Sequence, residues 1–239
     1  MPARAKGSSG LSPFRYSNSL TLDRQGGAAY PGGGEVPESE RMTEAEWLAC
    51  TDPQPMLEFL QSRVSDSKWR RFGCVCCRYV WDHLTDGSRS TVELLEQFEE
   101  GRTSSEELSA ASRWASFFIS NLVKDPSRGA WFLAVVGPAI GDHHLREPVR
   151  QLLREVVGNP FRSLALDHAW RTPTVTALAT AAYEERHLPA GTLDADRLAI
   201  LADALEDAGC TDADILSHLR GPAPHVHGCW VLDLLLGKS

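Results

Sequence analysis

The chain has little from which to build a sheet. Alternating runs of Val, Ile or Thr are absent, and Trp131 to Val136 is the only stretch of strand-like composition. One strand alone makes no sheet, so the pattern predicts an all-α protein. Long apolar runs are missing too. None approaches the roughly 20 residues of a membrane span, and no apolar stretch follows the few basic residues at the start, which argues against a secretory signal. Basic charge is in short supply, with 24 Lys and Arg against 32 Asp and Glu and a formal net charge of −8. Proteins that hold nucleic acid or anionic membranes concentrate cations. The densest basic run here, Lys68 to Arg71, reads as a solvated helix face. A cytoplasmic protein with no nucleic acid and no membrane partner is expected. Nucleophile-elbow, P-loop and dinucleotide motifs are also absent, so no catalytic residue and no cofactor-binding residue is assigned.

Apolar residues make up 42% of the 239 residues, enough for a substantial core. Residues 1–41 differ from the rest. They are rich in Gly, Ser, Pro and Arg and show no apolar period, so they read as a disordered tail or as a reading frame begun too early, with Met42 as the true start.

From Met42 onward the pattern is helical, with an N-terminal helical region expected over 42–157 and a C-terminal helical module over 158–239 packed on it. Thr43 and Glu46 form a capping box. Asp52 before Pro53 starts a second helix. Trp69, Phe72, Cys76, Val80 and Leu84 recur at steps of three or four, as on one face of a long helix that Asp86-Gly87 would end. A shorter helix follows over 90–99, with Gly101 as its stop. Overlapping capping boxes at Thr103 and Ser104 open a helix to about Lys124. Further helices are expected from Asp125, over 145–157, and from Thr172 to about Arg186.

The last fifth of the chain carries the clearest signals. Leu198, Leu201, Ala202 and Leu205 line one helix face, and Thr211 with Asp214 caps a second, shorter helix. The two make an αα-hairpin. After Pro224 comes the word HVHGCW, His225 to Trp230, and then a buried terminal helix over 228–236. A buried strand would show the same apolar run. Cys229, Trp230 and Leu232 to Leu236 are expected to fill the core, with Trp230→Ala costing at least about 3 kcal/mol.

Several words resemble a large paralogous family of planctomycete bacteria: GNPFR at 158–162, LDHAW at 166–170, TPTV at 172–175, LADALEDAGC at 201–210 and GCWVLDLLLGK at 228–238, together with EWLACTDP at 46–53 and PMLEFL at 55–60. The resemblance covers about 42–85 and 158–238, and it begins near Met42. Members are loosely described as SMI1/KNR4-like, which implies an α/β fold, whereas the residues here read as all-α. The resemblance implies no catalytic residues.

Two groups invite a metal. Cys74 and Cys77 have the Cys-x-x-Cys spacing that aims two thiolates at one centre, although mid-helix the same residues serve as small hydrophobes. His225, His227 and Cys229 offer imidazole and thiolate groups, and zinc takes about four ligands from two segments, the second being Cys74 with Cys77, or Cys210. Cys74, Cys77, His225 and Cys229 are therefore the candidate zinc ligands, set against a purely structural turn. With no export signal, all six cysteines are read as reduced thiols. His143 and Glu147 stand four apart, but a helix cap explains them as well as a metal pair does. Asp194, Asp196, Glu206, Asp207, Asp212 and Asp214 follow cap and exposed-face logic, without the spacing of a calcium loop.

The leading expectation is a non-enzymatic protein-interaction or adaptor domain whose partner is another protein. Alternatives are a zinc-binding structural or regulatory protein, and a hydrolase or transferase with an unfamiliar site.

Overall fold

Helices begin where short polar side chains can take up the free amides of a first turn. The computed structural model describes residues 42–61, 63–110, 143–162, 167–222 and 224–238, with ten α-helices among them, of which eight begin in this way; α10 has no side-chain cap, and the residue before α6 lies outside the described ones. They are α1 (Glu44–Ala49), α2 (Pro53–Leu60), α3 (Asp66–Tyr79), α4 (Asp86–Glu99), α5 (Ser105–Ala110), α6 (His143–Val157), α7 (Pro173–Glu184), α8 (Ala195–Asp207), α9 (Ala213–Leu219) and α10 (Trp230–Leu236). The fold is all-α, with no β-strand among the described residues. No helix there is long and apolar enough to cross a membrane. The expectations for 1–41 and for most of 108–142, Trp131 to Val136 included, lie outside the described residues.

Many of the expected starts hold. Thr43 and Glu46 close a capping box, Asp52 caps α2 and Thr172 caps α7. Ser104 and Glu107 form the box before α5. Two starts differ. The stripe from Trp69 to Leu84 is not one helix: α3 ends at Tyr79, and a 3₁₀ turn spans Trp81–His83. Thr85 then accepts from the Ser88 amide, so Asp86-Gly87 opens α4 instead of ending α3. A 3₁₀ turn repeats every three residues, which keeps an apolar spacing running across the break. In the hairpin, the cap of α9 is Asp212, not Thr211.

Two large cores result. One joins α1, α2, α3 and α6 through Trp47, Met56, Leu60, Phe72, Leu153 and Val156. The other joins α7 to α10 through Val175, Leu201, Leu205, Ile215, Leu219 and Leu232. A smaller cluster pairs Cys74 and Cys77 of α3 with Val92 and Leu95 of α4. The seam between the large cores is crossed in several places. Helix α6 packs on α10, and Val226, from the turn before α10, belongs to the first core.

The seam also holds buried charge. Arg71 of α3 donates to Asp233 of α10 at 2.5 Å and to the carbonyl of Lys238 at 2.6 Å. Tyr183 of α7 donates to the same Asp233 at 2.9 Å. Arg78 grips Glu96 through two hydrogen bonds of 2.9 and 2.8 Å. A lone buried charge is costly, and each of these has a partner.

Candidate metal centre

Gly221, Pro222 and Pro224 stop α9 from continuing, since Pro lacks the amide that a helix interior needs. The chain reverses there and runs back beside residues 191–193. Leu193 donates to the carbonyl of His225 at 2.9 Å, and His227 donates to that of Gly191 at 3.1 Å. These backbone bonds fix the HVHGCW word. At Gly228 the backbone takes φ +110°, a conformation open mainly to glycine; a Cβ there would lie 3.6 Å from both Arg71 and Val156.

Four potential ligands meet at this turn: Glu155 of α6, His218 near the end of α9, His225, and Cys229 just before α10. One ligand atom from each lies within 4.8 Å of all the others, and no other such group occurs among the described residues. His218 Nε2 is 3.2 Å from Cys229 Sγ and 3.3 Å from Glu155 Oε2. His225 Nδ1 is 3.2 Å from Glu155 Oε1. Tetrahedral zinc, with bonds of about 2.0–2.3 Å, separates its ligand atoms by roughly 3.3–3.7 Å. The observed spacing suits that geometry after small adjustments. His225 Nε2 lies 3.3 Å from the Gly221 carbonyl, the outer hydrogen bond that orients a ligating imidazole.

The charges are arranged to match. Burial opposes ionisation of Glu155, but hydrogen bonds from His218 and His225, and their charges, outweigh it and hold the carboxyl at about 2. Burial pushes His225 down, and Glu155 more than offsets this, leaving it raised. Burial lifts the Cys229 thiol well above its usual value, and the neighbouring Glu155 carboxylate adds to the effect. A cation at the centre of the four would favour the thiolate and neutralise the carboxylate.

Of the ligands expected from sequence, the structure brings together His225 and Cys229. It does not bring Cys74 and Cys77 to them. Both thiols face α4, packed on Val92 and Leu95, while Arg71 and Val75 of the same helix face Gly228. Burial raises Cys77 to about 12 and Cys74 well above the usual range, as for thiols that serve as packing. No disulfide forms among the described cysteines. Glu147 turns to Arg150 and Gln151 on its own helix, and the side chain of His143 lies outside the described residues. The acidic residues of the hairpin act as caps and surface partners: Asp194 and Asp212 cap helices, Asp214 pairs with Arg162, and Glu206 pairs with Arg220.

Sequence reasoning missed Glu155 and His218. A signal for Glu155 existed: it stands on a strongly apolar stretch beside Leu152, Leu153 and Val156, where an acid is out of place unless paired. His218 carried no comparable sign, since the last turn of a helix favours His for the dipole alone. His227, next but one to His225, turns the other way. Its ring meets Tyr183 edge-on at 4.6 Å and its Nε2 lies 3.2 Å from Glu100. Burial, with the nearby Arg186, pushes it down to about 4.

Above the four ligands lies a surface cleft of about 370 Å³ lined by Trp47, Leu48, Arg154, Arg162, Trp230 and His218. His218 is the only ligand of the four that reaches it. No protein-family model, curated protein or solved structure matches the chain.

Proposed function

We propose that the protein binds one zinc ion through Glu155, His218, His225 and Cys229, and that the ion acts as a clasp between α6 and the C-terminal segment. The convergence of these four donors from three separate stretches carries the reading. A thiolate, two imidazoles and a carboxylate are donors that zinc accepts, and hard cations such as magnesium and calcium favour all-oxygen sets. With four protein ligands taken, zinc keeps no open position, which is the pattern of a structural site. The role is therefore non-enzymatic, and we place it in the cytoplasm, as a member of the planctomycete family. An adaptor role is a second reading, favoured by the apolar and cationic cleft over His218.

The test is zinc content and zinc titration of the metal-stripped protein. About one zinc per chain is expected, with protons released on binding. His218→Ala and Glu155→Gln should each lose the zinc while remaining helical by circular dichroism. Cys74→Ser and Cys77→Ser should keep it. Zinc retained by both His218→Ala and Glu155→Gln, or no zinc bound by a folded wild type, would overturn the reading.

A further inference from the structure

A second cavity, of about 550 Å³, is lined by three cations, Arg102, Arg186 and Lys238, by two carboxylates, Glu100 and Glu184, and by Tyr183, Leu188 and Leu236. Its three cations come from distant points in the chain. Each sits just past the end of a helix: Arg102 after α4, Arg186 after α7 and Lys238 after α10. The main chain fixes their positions. The Arg102 amide donates to the carbonyl of Gln97 at 2.8 Å and that of Gly101 to Phe98 at 3.0 Å, a Schellman stop. The Lys238 amide donates to the Asp233 carbonyl at 2.8 Å, and its own carbonyl accepts from Arg71.

These cations are incompletely matched. Among the described residues, Lys238 Nζ has no carboxylate partner and stands 5.2 Å from the centre of the Tyr183 ring. Arg186 reaches Glu96 and Glu100 only at 3.5 and 3.6 Å, and its Nε is buried with no acceptor. Arg102 leans on Glu100. Burial and the repulsion of Arg71, Arg102 and Arg186 depress the Lys238 ammonium against the pull of Asp233. A bound anion would relieve that repulsion and supply the missing acceptors. The chain as a whole carries a net −8, so three cations converging on one cavity are not a by-product of general basicity.

We propose that this cavity binds the phosphate group of a small phosphorylated molecule, with Lys238, Arg186 and Arg102 on its oxygens and Leu188 and Leu236 against the remainder. A phosphate carries about two charges and three terminal oxygens, which suits cations arriving from three directions, whereas a carboxylate offers one charge and two oxygens. The cavity is also larger than a phosphate alone, leaving room for an attached group. The site is separate from the proposed zinc centre, and neither depends on the other.

Calorimetric titration of the full chain in low-salt buffer tests this, with phenyl phosphate, inorganic phosphate and benzoate as probes. Phenyl phosphate should bind most tightly, and benzoate at least about tenfold more weakly, as fewer charge-assisted bonds require. Lys238→Gln and Arg102→Gln should each weaken phenyl phosphate by about tenfold, with unchanged circular dichroism and zinc content. Arg220→Gln, at a surface pair elsewhere, should bind as wild type does. Arg102 is largely exposed, so its variant remains informative even if Lys238→Gln destabilises the chain end. Equal binding of benzoate and phenyl phosphate, no binding at millimolar concentrations, or wild-type affinity in folded Arg102→Gln would overturn the proposal.

Discussion

Trp230 lies half-buried at the start of α10, with its ring against Gly158 and, at 5.1 Å, against the ring of His218. A Cβ on Gly158 would sit 3.0 Å from Trp230 Cγ, and Gly158 also has φ +75°, so the two residues are fitted to one another. The expectation that Trp230 fills the core is corrected by this placement. Truncation to Ala should cost about 2 kcal/mol in urea melts, below the 3–5 kcal/mol of a fully enclosed aromatic. A cost above about 4 kcal/mol would show that the ring is enclosed in solution. The misplacement has a simple origin. Residues 230–236 are apolar at every position but one, so no period marks which side faces inward. The structure buries Val231, Leu232 and Leu235 and leaves Trp230, Leu234 and Leu236 at the margin. Even the exception is inverted, for Asp233 is among the most buried residues of the helix.

Helices were the most legible elements because their ends are encoded in one or two side chains. Asp194 illustrates this: its Oδ1 accepts from the amides of Asp196 and Arg197 at the start of α8. The hydrogen bond from Arg197 leads in holding its carboxyl below the usual value, against opposition from burial. A depressed carboxyl contributes stability above its unfolded value of 3.8, and the contribution is lost as pH falls through the lower, folded value. Asp194→Asn keeps an acceptor and removes the charge. It should melt below wild type at neutral pH, with the gap closing as pH falls below 3.8 and through the lower, folded value; a gap that holds constant with pH would refute a charge-based role. Adjacent capping residues were where sequence failed. Thr211 and Asp212 are both suitable types, and only the path of the chain decides between them. The break after α3 was hidden for the related reason that a 3₁₀ turn preserves the apolar spacing.

At the scale of the whole molecule, what was hard to read is what joins distant stretches. His225 and Cys229 stood out because they are close in the chain, but Glu155 is 70 residues from His225, and no local pattern carries that distance. The same holds for the salt bridge of Arg71 with Asp233, whose side chains are 7% and 1% exposed. Asp233→Asn takes the nearer carboxylate from the buried Arg71 guanidinium, leaving Glu99 at 3.6 Å, and should cost about 3 kcal/mol, measurable by denaturant titration. A loss under about 1 kcal/mol would mean that water reaches the pair.

That pair has a consequence for biosynthesis. Arg71 and Asp233 are 162 residues apart, so a ribosome must add that length of chain after Arg71 before the cation on α3 can meet its carboxylate. A nascent chain cannot complete its charged seam while the last turn of α10 is still in the exit tunnel. Products of premature termination before Asp233 would carry Arg71 and the Tyr183 hydroxyl without their shared acceptor, and would be open to quality-control proteases. The charged seam thus closes only after α10 has left the ribosome.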